Sequence, residues 1–414
     1  MSLLKKASGI ALAAAMAVSL SSPQYAHAEG FALQDWSARG AALAGGVVAR
    51  GGDAAAVAYN PAAITELEGT RILAGGELIM HTNTIVGASG QEQKSNSKNY
   101  FAPHGYITHK FNDSLSFGFG GFSRFGLGNN YGPAFFVPNS VFNVELITYT
   151  VSPVLAWKVT DKLSLGVGLE LSYGDVDFNQ KMYGAIAGMT GDAWSPAFSL
   201  SAHYRFNEKW KAGFVYRSHS DYDFDGDLTI SGASAPLAML NGGYAGDAKL
   251  YTPDSYTLAL AYYPIPTWSF EAQVQYNTWS RYSNLRINVY GMPLPQLSNI
   301  TSIKNWNDTW FFSLSTEYQY NDWLTFRAGA SYETSPVDEH FADFIAPSNG
   351  RWKYGVGLGF AQDDWSLDLG YVYHDICTLH YGHSEFGTRY GALGADHATD
   401  AHAHTVSFSI GYKF

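Results

Sequence analysis

Residues Gly382-His383-Ser384-Glu385 come close to a nucleophile elbow, the turn that presents a serine hydroxyl to a histidine base for acyl transfer. Position 386 is phenylalanine where the motif needs glycine, and no strand-to-helix turn is evident around it. With 13 histidines in the chain a chance Ser/His pairing is easy, so a lipid-modifying enzyme stands only as an alternative. His397, Asp400, His402 and His404 could gather a transition metal, because alternating histidines share one strand face. The other reading of the same residues is a solvated external loop. Asp221, Asp223, Asp225 and Gly226 begin like a calcium loop, but the twelfth position is Gly232 rather than Glu, and a spacing of two also fits one face of a strand. Gly355, Gly357 and Gly359 suggest a phosphate loop until their neighbours are read: they alternate with Tyr354, Val356 and Leu358 and so form the inward face of a strand. No catalytic site, metal site or cofactor is expected.

A different chemistry, the handling of water-insoluble molecules, is suggested by Gly132 to Pro138, a short loop that carries Phe135, Phe136 and Val137. Burying a methylene against such side chains gains roughly 0.8 kcal/mol. Aromatics held outside a membrane would therefore give a hydrophobe a landing site; alternatively the rings pack within their own loop or touch lipid. Just before them, Gly118, Gly120, Gly121, Gly126 and Gly128 favour a bulge or kink, unless they are simply small residues facing a lumen. Phe125 lies in this run beside Arg124, where a regular strand would prefer branched side chains.

The elements around these groups alternate with a period of two. Leu163, Leu165, Val167, Leu169, Leu171 and Tyr173 fall on one face, and Ser164, Gly166, Gly168, Glu170 and Ser172 on the other. Val406, Phe408, Ile410, Tyr412 and Phe414 repeat the pattern at the end of the chain, as do Trp365, Leu367, Leu369, Tyr371 and Tyr373. A soluble sandwich alternates too, but here the apolar face begins or ends in an aromatic ring, as transmembrane strands do at the two membrane interfaces. Tight polar turns at Asn112-Asp113, Thr160-Asp161, Asn207-Glu208, Pro264 to Thr267, Asn321-Asp322 and Asp363-Asp364 alternate with longer loops near 87–98, 128–141, 179–192, 232–247, 290–303, 336–349 and 381–401. Six turns and seven loops join fourteen strands, with both barrel ends on the short-turn side. The fold class is therefore all-β: a 14-stranded antiparallel transmembrane barrel over 69–414. Residues 29–68 do not alternate, are rich in Ala and Gly, and read as short helical pieces ending at Asn60-Pro61. Fourteen strands enclose a lumen too wide for strand side chains to fill, so this segment is expected to be a plug, or hatch.

Composition narrows the classes. Of 414 residues 46% are hydrophobic, 15% aromatic and 15% charged, the last well below the usual quarter or so. Disordered chains are poor in aromatics, and after residue 28 no run of about 18 apolar residues could form a membrane helix. The net charge of −11 and the lack of a basic tract exclude nucleic acid as a partner. The lone Cys377 permits no internal disulfide and no cysteine-based zinc site. At the start, Lys5 and Lys6, the apolar stretch Ile10 to Leu20 and Ala26-His27-Ala28 have the layout of a secretory signal peptide over 1–28.

The chain resembles the FadL-type outer-membrane transporters of long-chain fatty acids and other hydrophobic compounds. The resemblance rests on Gly30-Phe31, Ser37 to Gly40, Asp53 to Pro61 with Ala62, Ser123 to Leu127, Tyr216-Arg217-Ser218, Asn277 to Ser280, and Leu324 to Pro336. It implies a barrel in which a hydrophobe lands in an outer groove, enters an apolar pocket, displaces the hatch and leaves sideways through a kinked third strand. Carried over by residue, the groove would be Phe135, Phe136 and Val137 facing Met182, Tyr183, Ile186 and Met189. The hatch tip would be Phe31, the hatch motif Asn60, Pro61 and Ala62, and the lateral-exit kink Gly121, Phe122, Phe125 and Gly126. The basic residues that hold a fatty-acid carboxylate in such proteins align here with Asp175 and Asn307, leaving Lys181 and Lys304 as the nearest cations.

The expected function is passive uptake of hydrophobic small molecules across a bacterial outer membrane, with long-chain fatty acids first. Monoaromatic hydrocarbons come next, favoured by the missing bases. The alternative from another class is a structural or adhesive surface barrel. Outer-membrane lipid and lipopolysaccharide are the expected surroundings, and the barrel is expected to be monomeric.

Overall fold

The computed structural model describes residues 30–414 apart from Ser97, so the signal peptide read at 1–28 and the start of the mature chain lie outside the described residues. The alternating runs become the staves of one closed antiparallel sheet. In Leu163–Met182, Leu165, Leu169 and Leu171 face outward while Ser164, Glu170 and Ser172 are buried within. Outward means toward lipid, so the apolar row sits in its preferred solvent. Counting a strand that continues through a bend as one, fourteen strands are formed among the described residues. The first, Thr70–Gly87, pairs with the second, Asn99–Lys110, and with the last, Ala395–Lys413, from Arg71↔Lys413 to Gly87↔Ala395. That closure leaves the sheet without an edge.

The six hairpins at one end are tight, and both barrel ends lie beside them, where the Phe414 N–H donates to the Thr70 carbonyl at 2.9 Å. Their sequences explain them: the Asn112, Asn207 and Asn321 side-chain oxygens accept from backbone N–H groups two and three residues on, and Thr160 does the same with its hydroxyl. Just inside these turns Trp157, Trp210, Trp268, Trp323 and Trp365 face outward; Tyr149, Trp194, Tyr256, Trp310 and Trp352 do so at the other end. These are the two interfacial girdles.

The outer end departs from the expectation of long loops. Residues 179–192 are not a loop: Leu163–Met182 and Ala185–Asn207 stay paired to a two-residue turn at Tyr183-Gly184, where φ is +50° and +86°. Gly242–Leu250 and Asn299–Ile303 are likewise strand, and the last strand begins at Ala395. These stretches rise past the lipid, so nothing selects an apolar outward face on them; only their inward side is buried, as at Ala185, Ala187 and Met189. Cross-strand hydrogen bonding and this inward packing keep them extended, and no lipid-facing row marks them in the sequence.

Residues 30–68 stand inside the barrel. Ser37 caps the helix Ala38–Ala42 by accepting from the Gly40 N–H at 3.0 Å. The helix Ala56–Tyr59 runs into Asn60, whose side chain accepts from Ala62 N–H at 3.1 Å and donates to the Val48 carbonyl at 2.8 Å, starting the 3₁₀ turn Pro61–Glu66. The strand glycines exist for this packing: a β-carbon at Gly355 would lie 2.6 Å from the Ala41 carbonyl oxygen, and one at Gly370 equally close to that of Ala38. Charge pins the segment to the wall. Arg39 holds Glu317 at 2.8 and 2.9 Å, Glu317 also pairs with Arg327, and the Ala49 and Arg50 N–H groups donate to Glu271. Buried charges are tolerated only when paired in this way.

Candidate functional site

The third strand is broken. Its lower part, Leu115–Phe122, pairs with the second strand from Lys110↔Ser116 to Gly105↔Gly121; its upper part, Gly126–Asn130, pairs only with the fourth strand, Val141–Lys158. No ladder pairing joins Asn99–His104 to the upper part among the described residues, which leaves a slot roughly 20 Å long at ~3.3 Å per residue. The break is held open by Thr148, whose hydroxyl accepts from the Phe125 N–H at 3.1 Å and donates to the Phe125 carbonyl at 2.7 Å. The hatch takes the place of the missing partner. Ala32 bridges Phe125, with the Leu33 N–H donating to the Arg124 carbonyl at 2.8 Å and Gly126 N–H to that of Phe31 at 3.0 Å.

Beside this plug lies a cavity of about 450 Å³. Asp35, Glu77 and Lys353 line its lumen end, and Phe101 and Tyr149, both exposed toward lipid, its outer end. Phe31 projects into a cage of rings, with centroids 4.7 Å from Trp279, 5.6 Å from Trp306, 5.8 Å from Phe125 and 6.3 Å from Tyr282. Below it, Arg124 and Arg217 share the fully buried Glu170 at 2.9 and 2.7 Å, and Arg217 lies over the Trp36 ring and donates to the Ala58 carbonyl. One carboxylate thus ties the kinked strand to the hatch.

Of the residues expected at the kink, Phe125 and Gly126 line the cavity. Gly121 sits lower, in an intact ladder between Gly105 and Val151, and Phe122 faces inward onto Trp36 at 5.2 Å. Asn60, Pro61 and Ala62 are buried in the hatch, away from the gap. The expected groove residues do come together, since Lys181 donates to the Phe135 carbonyl and the Tyr183 N–H to Asn139. Their side chains, however, form a core: Phe135 and Val137 are fully buried, Met182 and Met189 nearly so, Phe136 and Ile186 half-buried, and only Tyr183 is open. Phe135 packs on Tyr131 and Phe344 at 4.7 and 4.9 Å. An open cleft at this end, about 430 Å³ and mixed in character, lies elsewhere: Leu285, Ile287 and Ile300 of one hairpin, Phe341, Ile345 and Phe178 line it together with Gln180, His340, Asp343 and Glu385.

The remaining motifs resolve structurally. Ser384 caps the short helix Glu385–Thr388 and donates to the Tyr381 carbonyl at 2.9 Å, while His383 stacks on His340, so these two do not pair as the elbow reading requires. Among the described residues no set of three or more His, Cys, Asp or Glu side chains is arranged to hold a metal ion. Asp223 and Asp225 stand on the outward face of their strand. Asp175 also faces outward, opposite Asp192, and Asn307 is exposed in a loop. Neither borders the cavity. Lys304 is buried against Asp343.

A closed barrel with lipid-facing apolar rows, an internal hatch and a cavity at a broken wall defines an outer-membrane channel or transporter. The profile described as "Outer membrane protein transport protein (OMPP1/FadL/TodX)" matches residues 19–414, and the chain belongs to that family. It is a transporter of hydrophobic compounds, not an enzyme, and resides in the outer membrane. Relatives include the long-chain fatty acid transport protein of Escherichia coli K12, 24% identical over 410 residues (87% of this chain, 91% of that one), and outer membrane protein P1 of Haemophilus influenzae, 24% identical over 455 residues (94% and 96%). Among solved structures, a Pseudomonas aeruginosa FadL homologue superposes with TM-score 0.81 at 18% identity (93% and 100% covered), and the P. putida toluene transporter TodX with 0.76 at 18% (92% and 99%).

Proposed function

We propose that the barrel is a passive path gated by residues 30–35, in which a hydrophobe enters from the outer cleft, displaces Phe31 from its cage and leaves sideways between the second and third strands. The single observation that carries this reading is the slot over Asn99–His104, closed by hatch backbone rather than by a strand. A ligand leaving there never meets bulk water, which removes the main barrier to release into lipid. The relatives' names point to long-chain fatty acids. The four rings around Phe31 favour a flat aromatic hydrocarbon as the second reading, because edge-to-face ring contacts add to area burial.

Ala32 and Phe125 face each other without hydrogen bonding directly, the narrow kind of antiparallel pair. An Ala32→Cys/Phe125→Cys variant should therefore form a disulfide that locks the hatch into the slot. Whole-cell uptake of a labelled hydrophobe should fall to background when the pair is oxidised and recover on reduction. Full uptake by the oxidised, well-expressed barrel would rule out this exit.

A further inference from the structure

The lumen end of the exit cavity is built from side chains that the path itself does not need. Glu77 is 2% exposed, its Oε1 has no hydrogen-bond partner, and no cation lies within ion-pair distance among the described residues. Asp35 Oδ1 and His374 Nδ1, on the same wall, are also unpartnered; His374 Nε2 is 3.1 Å from the Thr405 hydroxyl. The cations are already engaged. Lys353 is 2.8 Å from Glu333 and 3.6 Å from Asp35, Arg351 donates to Glu333 at 2.9 Å, and at the outer rim Lys98 is held by Glu145 at 2.7 Å. Three carboxyl groups thus face two cations at the inner end, while Ile79, Phe101, Phe125, Leu127 and Ile147 make much of the remaining lining apolar.

From this we infer that the cavity prefers an amphiphile with an uncharged hydroxyl head, a long-chain alcohol or an alkylphenol, over the corresponding carboxylate. The O–H donates to Glu77 while the apolar body lies along the slot. A buried acceptor left unpaired is costly, and a donor that reaches it removes that cost. A carboxylate head supplies no proton to donate and brings a negative charge beside Asp35, which like charges oppose. An alkane satisfies nothing at this end. The inference rests on the lateral path proposed above and narrows what travels along it.

The test is equilibrium competition of 1-dodecanol, dodecanoate and dodecane against tritiated 1-dodecanol on the purified barrel. The alcohol should compete about tenfold better than either of the others, a difference of roughly 1.4 kcal/mol. Glu77→Leu should bring the alcohol down to the level of dodecane and leave dodecane unchanged. Glu77→Gln keeps an accepting oxygen, so it should retain alcohol binding; its near-isosteric shape guards against loss of the fold. Dodecanoate binding as tightly as the alcohol, or a ranking indifferent to both substitutions, overturns the head-group preference while dodecane uptake by cells keeps the path intact. Failure of all three compounds to enter cells would overturn the path itself.

Discussion

Glu170 is the residue on which the site's charges converge. Its carboxylate, fully buried, is the shared partner of Arg124 on the third strand and Arg217 beside the hatch. Removing one member of such a group leaves the others charged, buried and unpaired, at a cost of about 3–5 kcal/mol. Glu170→Ala should therefore lower the urea midpoint of the barrel far more than Ser172→Ala, its neighbour but one on the same face; equal midpoints would show that Arg124 and Arg217 find other partners. At this scale the sequence was only partly legible. Asn60-Pro61 could be read as the end of the helix Ala56–Tyr59, because a proline stops a helix locally, but the 3₁₀ turn Pro61–Glu66 that follows carries the helical pieces past the expected end. Phe135 could not: its rings of contact, Tyr131 and Phe344, include one more than two hundred positions away. Glu77 left a faint signal, a carboxylate on the lumen face of an otherwise apolar and glycine-rich run, where charges are rarely buried without a partner.

The decisive element is the third strand. Gly126 lines the slot, and a β-carbon there would already lie 3.1 Å from the Leu33 side chain, whereas one at Gly121 meets nothing closer than 4.0 Å and faces lipid. Gly126→Trp should thus sharply reduce uptake, and Gly121→Trp should leave it near the wild-type rate, with surface expression measured in parallel for both. Equal behaviour of the two variants would detach the slot from transport. The glycine run and the awkward Arg124-Phe125 pair marked this strand as irregular from sequence. Where the wall opens could not be read from them, because it depends on which residues of the second strand lose their partner and on Thr148, in the next strand, holding Phe125 in its bulge.

For the molecule as a whole, the hatch both fills the lumen and neutralises its wall. Arg39 and the backbone of Ala49 and Arg50 answer Glu317 and Glu271, so a barrel without the hatch keeps unbalanced carboxylates around an open bore. Deleting 30–66 should leave a heat-modifiable barrel that conducts ions in planar bilayers, while the complete protein stays closed. A silent deletion variant would mean that wall side chains alone fill the bore. Its lower thermal stability would measure what the buried ion pairs contribute.

Strand number, closure and membrane residence were legible along the chain because each depends on near neighbours: a lipid-facing row must be apolar at every second residue, and an Asn or Thr at a hairpin corner satisfies the backbone two and three positions on. The same locality explains what was misread. Beyond the lipid, hairpins such as 179–192 stay paired with no lipid-facing apolar row to announce them. The gap, the cage around Phe31 and the acidic end of the cavity were decided only in three dimensions. Phe31 meets Trp279 and Trp306, Glu77 lines one cavity with Asp35 and Lys353, and Ala32 stands in for a strand; closing the barrel brings these distant segments together around the hatch, and no spacing in the sequence records it.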